Sequence, residues 1–396
     1  MKRAQRLSLI ALTALAACGG PDGQAKKTQT TLQPPAPLGE TTLNVETLAE
    51  GLVNPWSLAF LPDGAILVTE RDGKLRVIRD GALVAEPVSG VPAPYVKSQG
   101  GLFDVMLHPD FATNRTIFLS YAAGSPDSNA TRVISAVFDG ASLSNIQTIF
   151  ETRTKKATAA HFGGRMALLP DRTLLITIGD GFDYREQAQD LGSGLGKIVR
   201  INLDGTIPPD NPFVSKDGAL PEIYSYGHRN EQGLAVDSAT GTVWETEHGP
   251  MGGDEINVIE PGVNYGWPIA TYGLDYSGAQ ITPFTEYEGT RQPVKYWVPS
   301  IAPSGLAVYR GHLFPAWKGD LLVGALAKTA LHHVDIENGV VVGEERYLDG
   351  ERIRDVREGL DGAIYVTTED HDGAPVGKVL RLTPAADDIS ADAPAP

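Results

Sequence analysis

The sequence predicts an all-β protein, a six-bladed β-propeller, on three observations: a hairpin pattern that recurs six times, abundant turn-forming residues, and almost no long helical period between the copies. The 396 residues include 44 glycines and 28 prolines. Turns of this composition between short apolar runs are how all-β chains are punctuated. A pair of β-sandwiches would use similar hairpins. Six alike copies favour a ring of blades, which limits exposed sheet edges and gathers loops at the mouth of a central channel.

The elements follow in order. Residues 1–17 carry basic Lys2, Arg3 and Arg6, then an apolar run from Leu7 to Leu15, then small residues, which is the anatomy of a secretory signal. The run is too short to span a bilayer as a helix. Leu15-Ala16-Ala17-Cys18 has the form of a bacterial lipobox, and the single cysteine of the protein stands at the position that is lipidated. The alternative is an ordinary signal peptide with a chance cysteine. The expectation is a periplasmic or cell-envelope protein that meets the membrane only through the lipid on Cys18. Residues 18–40, rich in Gly, Pro, Gln, Thr and Lys, read as a flexible tether, and residues 385–396 read as a disordered tail. The propeller is expected over 41–384.

Within it, each copy is a short apolar run, an Asp-containing turn and a second apolar run. The copies begin at Leu58, Val105, Met166, Leu234, Leu306 and Val356. Their turns, such as Pro62-Asp63-Gly64 and Asp361-Gly362, use residues that hydrogen-bond their own backbone or reach positive φ without cost. The extra length between some copies marks inserted loops.

Composition narrows the function. The formal charge is −16, which disfavours nucleic acid and anionic lipid, since both require a basic footprint. One cysteine allows no internal disulfide and leaves no thiol for catalysis in the body. No Walker A loop, G-x-G-x-x-G, H-E-x-x-H or G-x-S-x-G motif is present. What remains is a set of polar clusters between hairpin cores, at Lys97–Gly101, His161–Arg165, Tyr226–Gly233, Glu247–Glu255, Trp297–Ser304 and Arg352–Asp355. Loops of different blades meet at one face of a propeller, so these clusters can build one site. Arg229, Arg352 and Arg354 are candidates for holding a polycarboxylate, because guanidinium forks pair carboxylates bidentately. The alternative is that they bridge to Asp355, Asp254 or Glu255 as structure.

These clusters carry a resemblance. Pro55-Trp56, His161-Phe-Gly-Gly-Arg165, Gly227-His-Arg-Asn-Glu-Gln-Gly233, Glu247-His-Gly-Pro-Met-Gly-Gly-Asp-Glu255, Asn264-Tyr-Gly-Trp-Pro268 and Arg352-Ile-Arg-Asp355 occur in one order. With them the chain, from about Leu52 to about Leu382, resembles the soluble pyrroloquinoline quinone (PQQ)-dependent sugar dehydrogenases of the glucose/sorbosone dehydrogenase family. The resemblance implies a six-bladed propeller that oxidises an aldose at C1 to the lactone, passes hydride to C5 of PQQ, and hands electrons to an external acceptor. It implies His161 as the base on the C1 hydroxyl, a task that suits an imidazole, with Gln99 at that hydroxyl. It further implies Arg229 and Asn230 at the quinone oxygen, Trp297 and Ser300 beside the cofactor, and Arg352 and Arg354 on its carboxylates. Ca²⁺ would be held by the backbone carbonyls of Gly249 and Pro250, and a second, structural Ca²⁺ by Glu255 and Tyr265.

There are departures. Where the family commonly has a lysine, this chain has Ala327, with Lys328 next to it. Lys328 either reaches the cofactor from a shifted loop or one cationic contact is missing. Ala160 stands where glucose-specialised members carry an acid, which speaks against glucose in particular. Two other readings remain at this stage: a Ca²⁺-dependent propeller hydrolase of lactonase type, with its metal on side-chain carboxylates in the channel, and a non-enzymatic propeller that binds glycan or protein.

Overall fold

Among the described residues, twenty-four strands make six four-stranded antiparallel sheets. The computed structural model describes residues 41–370, 374 and 376–385. The signal segment, Cys18, the tether and all of the tail but Ala385 lie outside the described residues. No helix among the described residues is long and apolar enough to cross a membrane.

Each expected hairpin is the inner half of one blade. Blade 1 starts with Pro55–Phe60 and Ile66–Glu70, blade 2 with Leu102–Leu107 and Thr116–Ser125, and blade 3 with Met166–Leu168 and Leu174–Ile178. Blade 4 starts with Glu231–Val236 and Val243–Glu247, blade 5 with Pro303–Val308 and Leu321–Ala325, and blade 6 with Ile353–Glu358 and Ile364–Thr368. The turn chemistry is the one read from sequence. In four blades an aspartate accepts from the backbone N–H two residues on: Asp63 from Ala65, Asp171 from Thr173, Asp237 from Ala239 and Asp361 from Ala363, at 2.9 to 3.2 Å.

Second strands such as Leu174–Ile178 are buried along their whole length, because neighbouring blades cover both faces. Apolar clusters fill every blade interface in turn, for example Leu67, Val105 and Leu119 between blades 1 and 2, and Ile256, Leu306 and Val323 between blades 4 and 5. Inner strands of successive blades touch around the ring, and blade 6 touches blade 1. Blade 6 is completed by the N-terminal strand: Leu43–Leu52 pairs antiparallel with Gly377–Pro384, from Leu43 opposite Pro384 to Leu52 opposite Gly377. Two ends of the chain thereby close the ring.

Four blades are also joined by a buried ionic network at the axis. Arg165 pairs with Asp355 at 2.9 Å, and Arg357 bonds Asp104 and Asp355 at 3.0 Å each. Ser57 donates to Asp104. Such pairs hold their place because removal of one member strands the other's charge in a dry site. The Asp355 bridge foreseen from sequence therefore exists, but its arginines are Arg165 and Arg357.

Candidate active site

The start of each inner strand and the end of the strand paired with it lie at the same end of the blade, so residues flanking these points converge. Gln99, His161, Arg229, Asn230 and Arg352 precede inner strands, and Arg354 lies in the first residues of its own. Arg71, Asp180, His248 and Glu369 follow the second strands by one or two residues. A cavity of about 200 Å³ opens among them, walled by Trp56, Phe103 and Phe162 and by polar Arg71, Gln99, Asn230, His248, Arg352 and Arg354.

His161 is buried, with φ +50°. This left-handed conformation is uncommon for a side chain of its size and points to a position fixed by its surroundings. Two glycines that follow are required by space. A Cβ on Gly163 would lie 2.6 Å from the Thr177 carbonyl, and one on Gly164 would lie 2.6 Å from the Phe103 ring. His161 N–H donates to Gln99 Oε1 at 2.8 Å. Its Nδ1 meets Asp180 Oδ1 at 2.7 Å, and Trp267 Nε1–H donates to the other oxygen of that carboxylate at 2.8 Å. Asp180 is acceptor-only when ionised, so Nδ1 carries the proton and Nε2 is left as the basic nitrogen. Burial pushes the imidazole below the ordinary histidine range, Asp180 opposes this, and the charges of Arg229 and Lys156 reinforce it. The ring is thus neutral at pH 7. Lys156 braces the same turn, with Nζ donating to the carbonyls of Thr158 at 3.0 Å and Ala160 at 2.6 Å.

Behind the opposite wall, Glu369 accepts from Arg352 Nε at 3.1 Å and Arg354 at 2.7 Å. Burial would raise this carboxyl, but the guanidinium groups of Arg354, Arg352 and Arg71 hold it below the usual range. Three guanidinium groups share one carboxylate, which leaves the wall cationic, and Arg354 Nε is buried without a partner. The structural bridges considered for Arg352 and Arg354 are therefore made to Glu369 instead of Asp355, Asp254 or Glu255.

Several expected residues sit elsewhere. Lys328 is exposed, is not among the residues that line the cavity described above, and its carbonyl accepts from Arg346 at 3.1 Å. It sits on an exposed turn, apart from the arginines that line the cavity. Trp297 is packed among Trp244, Ile256 and Ile301, with its indole N–H donating to Glu344 at 2.8 Å. Ser300 donates to Asp254 at 2.6 Å, a carboxylate that also accepts the N–H groups of Ile301 and Ala302. Both brace the loop behind the cavity. Arg229 donates to the carbonyls of His248 at 3.0 Å and Gly249 at 2.6 Å, so the Gly249 oxygen already faces a cation.

Beside this lies a buried acidic group in blade 4. Glu245, Glu247 and His228 bring ligand atoms within 4.8 Å of one another. A small void of about 10 Å³ is lined by Glu247, Glu255 and Tyr265. Both carboxylate oxygens of Glu231 and one of Glu245 lack partners, and burial together with Glu247 pushes Glu231, Glu245 and Glu255 well above the carboxylate range. Uncompensated oxygens at this density are the donor set of a hard cation. The Tyr265 hydroxyl is not part of it, since it donates to the Val258 carbonyl at 2.6 Å.

Asp180, Arg71, Glu369 and Glu245 were not picked out by the sequence reading, and Glu247 was named only as the first residue of its polar cluster. The signal was available for the first three: each stands within two residues of the end of a blade's second strand, where His248 also stands.

A six-bladed propeller with an oriented imidazole beside a guanidinium-walled cavity defines an enzyme that pairs a proton acceptor with a site for an anionic group. The chain belongs to the glucose/sorbosone dehydrogenase family, whose model matches residues 52–385. It is 43% identical over 352 residues to the aldose sugar dehydrogenase YliI of Escherichia coli, covering 87% of this chain and 93% of that protein. The apo crystal structure of the soluble E. coli aldose sugar dehydrogenase superposes with a TM-score of 0.83 at 41% identity, over 87% of this chain and 100% of that one. The PQQ-bound aldose sugar dehydrogenase of Streptomyces coelicolor gives a TM-score of 0.72 at 30% identity, over 88% and 99%. The protein is a sugar dehydrogenase, an oxidoreductase.

Proposed function

We propose that the protein oxidises aldoses at C1 to the lactone with PQQ as cofactor, holds Ca²⁺, and passes electrons to an external acceptor. The observation that carries this reading is an imidazole fixed by Asp180 beside a cavity lined by Arg71, Arg352 and Arg354, with the one carboxylate near them, Glu369, set behind the lining. PQQ is a flat tricarboxylate, and flat aromatic walls with surplus guanidinium charge fit it. When bound, it supplies the two-electron acceptor for the hydride that leaves C1.

The chain's own residues do the rest. His161 Nε2 takes the C1 hydroxyl proton, and Asp180 keeps the proton on Nδ1 and stabilises the imidazolium that forms. Gln99 has its carbonyl oxygen fixed by the His161 N–H, which leaves its amide N–H groups as donors at the cavity. Asn230 lines the same space. His248 is held down at about 3 by burial and its Nε2 donates to the Pro303 carbonyl at 2.7 Å, so its remaining nitrogen is too weakly basic to compete as the base. No carboxylate lines the cavity among the described residues, which disfavours a calcium-centred hydrolase in the channel.

At the Gly249 and Pro250 carbonyls Ca²⁺ would share the Gly249 oxygen with the Arg229 guanidinium, whereas the blade 4 carboxylates present free oxygens. Addition of Ca²⁺ to metal-free protein is expected to raise the melting temperature, by about 2.7 kcal/mol of stability at a hundredfold excess over Kd. Glu255→Gln should diminish that gain. A melting curve indifferent to Ca²⁺ and to chelator would count against the metal. The reading as a whole is tested by assaying an aldose panel with PQQ, Ca²⁺ and a dye acceptor, where turnover dependent on PQQ is expected.

The periplasmic, lipid-anchored location rests on the sequence pattern around Cys18. Cys18→Ser is expected to move the protein from the membrane to the soluble fraction, and unaltered fractionation would refute the anchor.

A further inference from the structure

We infer that Trp267 is a positioning residue for the proton transfer: its indole N–H holds Oδ2 of Asp180, which aims Oδ1 at the His161 imidazole and keeps part of the carboxylate charge away from it. This rests on the proposed role of His161 as the base. The contact joins two blades, since Asp180 follows the second strand of blade 3 and Trp267 stands in the long loop of blade 4. An indole N–H can only donate. Unlike a hydroxyl or a water in its place, it cannot turn to accept from the carboxyl, so it favours the ionised form alone.

The indole is itself fixed. Trp267 is 7% exposed. Its backbone N–H donates to the Gly227 carbonyl at 2.9 Å, and its carbonyl accepts from Gln189 Nε2 at 2.7 Å. Gln189 and Asn264 exchange two hydrogen bonds, at 3.0 and 2.8 Å, and Asn264 Oδ1 also accepts the Gly266 N–H at 3.0 Å. A Cβ on Gly227 would lie 2.2 Å from that oxygen, so the frame closes only over glycine. Trp267, Gln189 and Asn264 are not among the residues that line the active-site cavity. The frame lies behind the wall, and it delivers one N–H to one carboxylate oxygen.

Asp180 takes three donors. Oδ1 meets His161 Nδ1 and the Phe182 N–H, each at 2.7 Å, and Oδ2 takes the indole at 2.8 Å. A carboxylate shares its charge between both oxygens, so a donor on Oδ2 weakens the pull of Oδ1 on the Nδ1 proton. Other charges surround the pair. Arg229 and Lys156 lower the proton affinity of His161, and Lys156 is itself pushed down to about 7 by burial. The Glu231 carboxyl feels Asp180, and His248 feels Arg229 and His161. All of these stay in place when the indole is replaced by a phenyl ring, which also keeps an aromatic face for the Arg229 guanidinium, 5.4 Å from the Trp267 ring centroid.

Trp267→Phe therefore removes the donor and little else. In holoenzyme reconstituted with PQQ and Ca²⁺ it is expected to lower kcat by about 3- to 10-fold through looser aim of the imidazole, with the KM for the aldose nearly unchanged. The acid limb of kcat/KM should move upward by about 0.5 to 1 pH unit, a part of what a hydrogen bond to a charged group is worth. A carboxylate relieved of its donor holds the imidazolium more strongly, so His161 keeps its proton to higher pH. Asp180→Asn moves the limb the opposite way, and general damage to the fold moves it in neither direction. An acid limb that stays or moves downward overturns the inference. A second measurement needs neither turnover nor a variant at 267. Of the five tryptophans, one indole N–H signal in the NMR spectrum of the full chain without PQQ should move downfield in His161→Ala, because loss of the imidazole donor returns charge to Oδ2. An indole spectrum with no such displacement refutes the link. Absence of turnover with every aldose by the wild type would refute the dehydrogenase reading instead, and the indole signal would still decide whether Trp267 and His161 share the carboxylate.

Discussion

Replacement of His161 by alanine is expected to lower kcat by about 10²–10⁴-fold, the usual contribution of a positioned general base. The residues that line the cavity beside His161 offer no other acceptor of suitable basicity: His248 is held down at about 3 by burial, and Gln99 and Asn230 do not titrate. Cofactor affinity should survive, because the cationic wall of Arg71, Arg352 and Arg354 stands on blades 1 and 6, apart from the blade 3 turn that carries the base. The measurements are steady-state kinetics and a PQQ titration of the same variant. Near wild-type kcat, or loss of PQQ binding, would remove His161 from the role of base.

The second large effect is expected at Asp180. Asp180→Asn keeps the shape of the side chain but removes the charge that selects the tautomer with hydrogen on Nδ1. Loss of the carboxylate that holds a general-base histidine in its working tautomer costs up to about 10⁴-fold in kcat. The sign of the pH effect follows from the contacts. Asp180 raises the proton affinity of His161 against the lowering by burial and Arg229, so its removal lowers that affinity further. The base then remains neutral to lower pH, and the acid limb of kcat/KM should move to lower pH while the plateau falls. A fall in plateau with no movement of the limb would show that Asp180 acts only through packing.

The propeller was legible because its inner hairpins are the most constrained parts of the chain. Buried second strands such as Leu174–Ile178 admit only apolar residues along their length, and the Asp turns repeat because the same reversal is made in each blade. Outer strands such as Leu143–Glu151 face solvent along part of their length and carry a weak pattern. The site was legible where side chains sit in dense local clusters, as at His161 and Arg352. It was not legible where a residue acts through a partner far away in sequence: Arg71 joins Arg352 and Arg354 around Glu369 from the other end of the chain. Trp297 and Lys328 show the opposite limit. Their neighbourhood in sequence is that of the site, but one is turned into the blade interface and the other into solvent, and only the backbone path decides this.

Closure of the ring by Leu43–Leu52 against Gly377–Pro384 has a consequence for the order of events in synthesis. The ribosome releases the partners of this seam at opposite times, so five blades can form and pack while the sixth still lacks one of its four strands. The emerging chain is an open arc with an unpaired strand at its leading edge, a template for pairing with a second chain. Only emergence of Gly377–Pro384 removes that edge. A chain stopped short of these residues is expected to keep most of its local contacts and yet remain prone to association, with the seam as the last cooperative step to native structure.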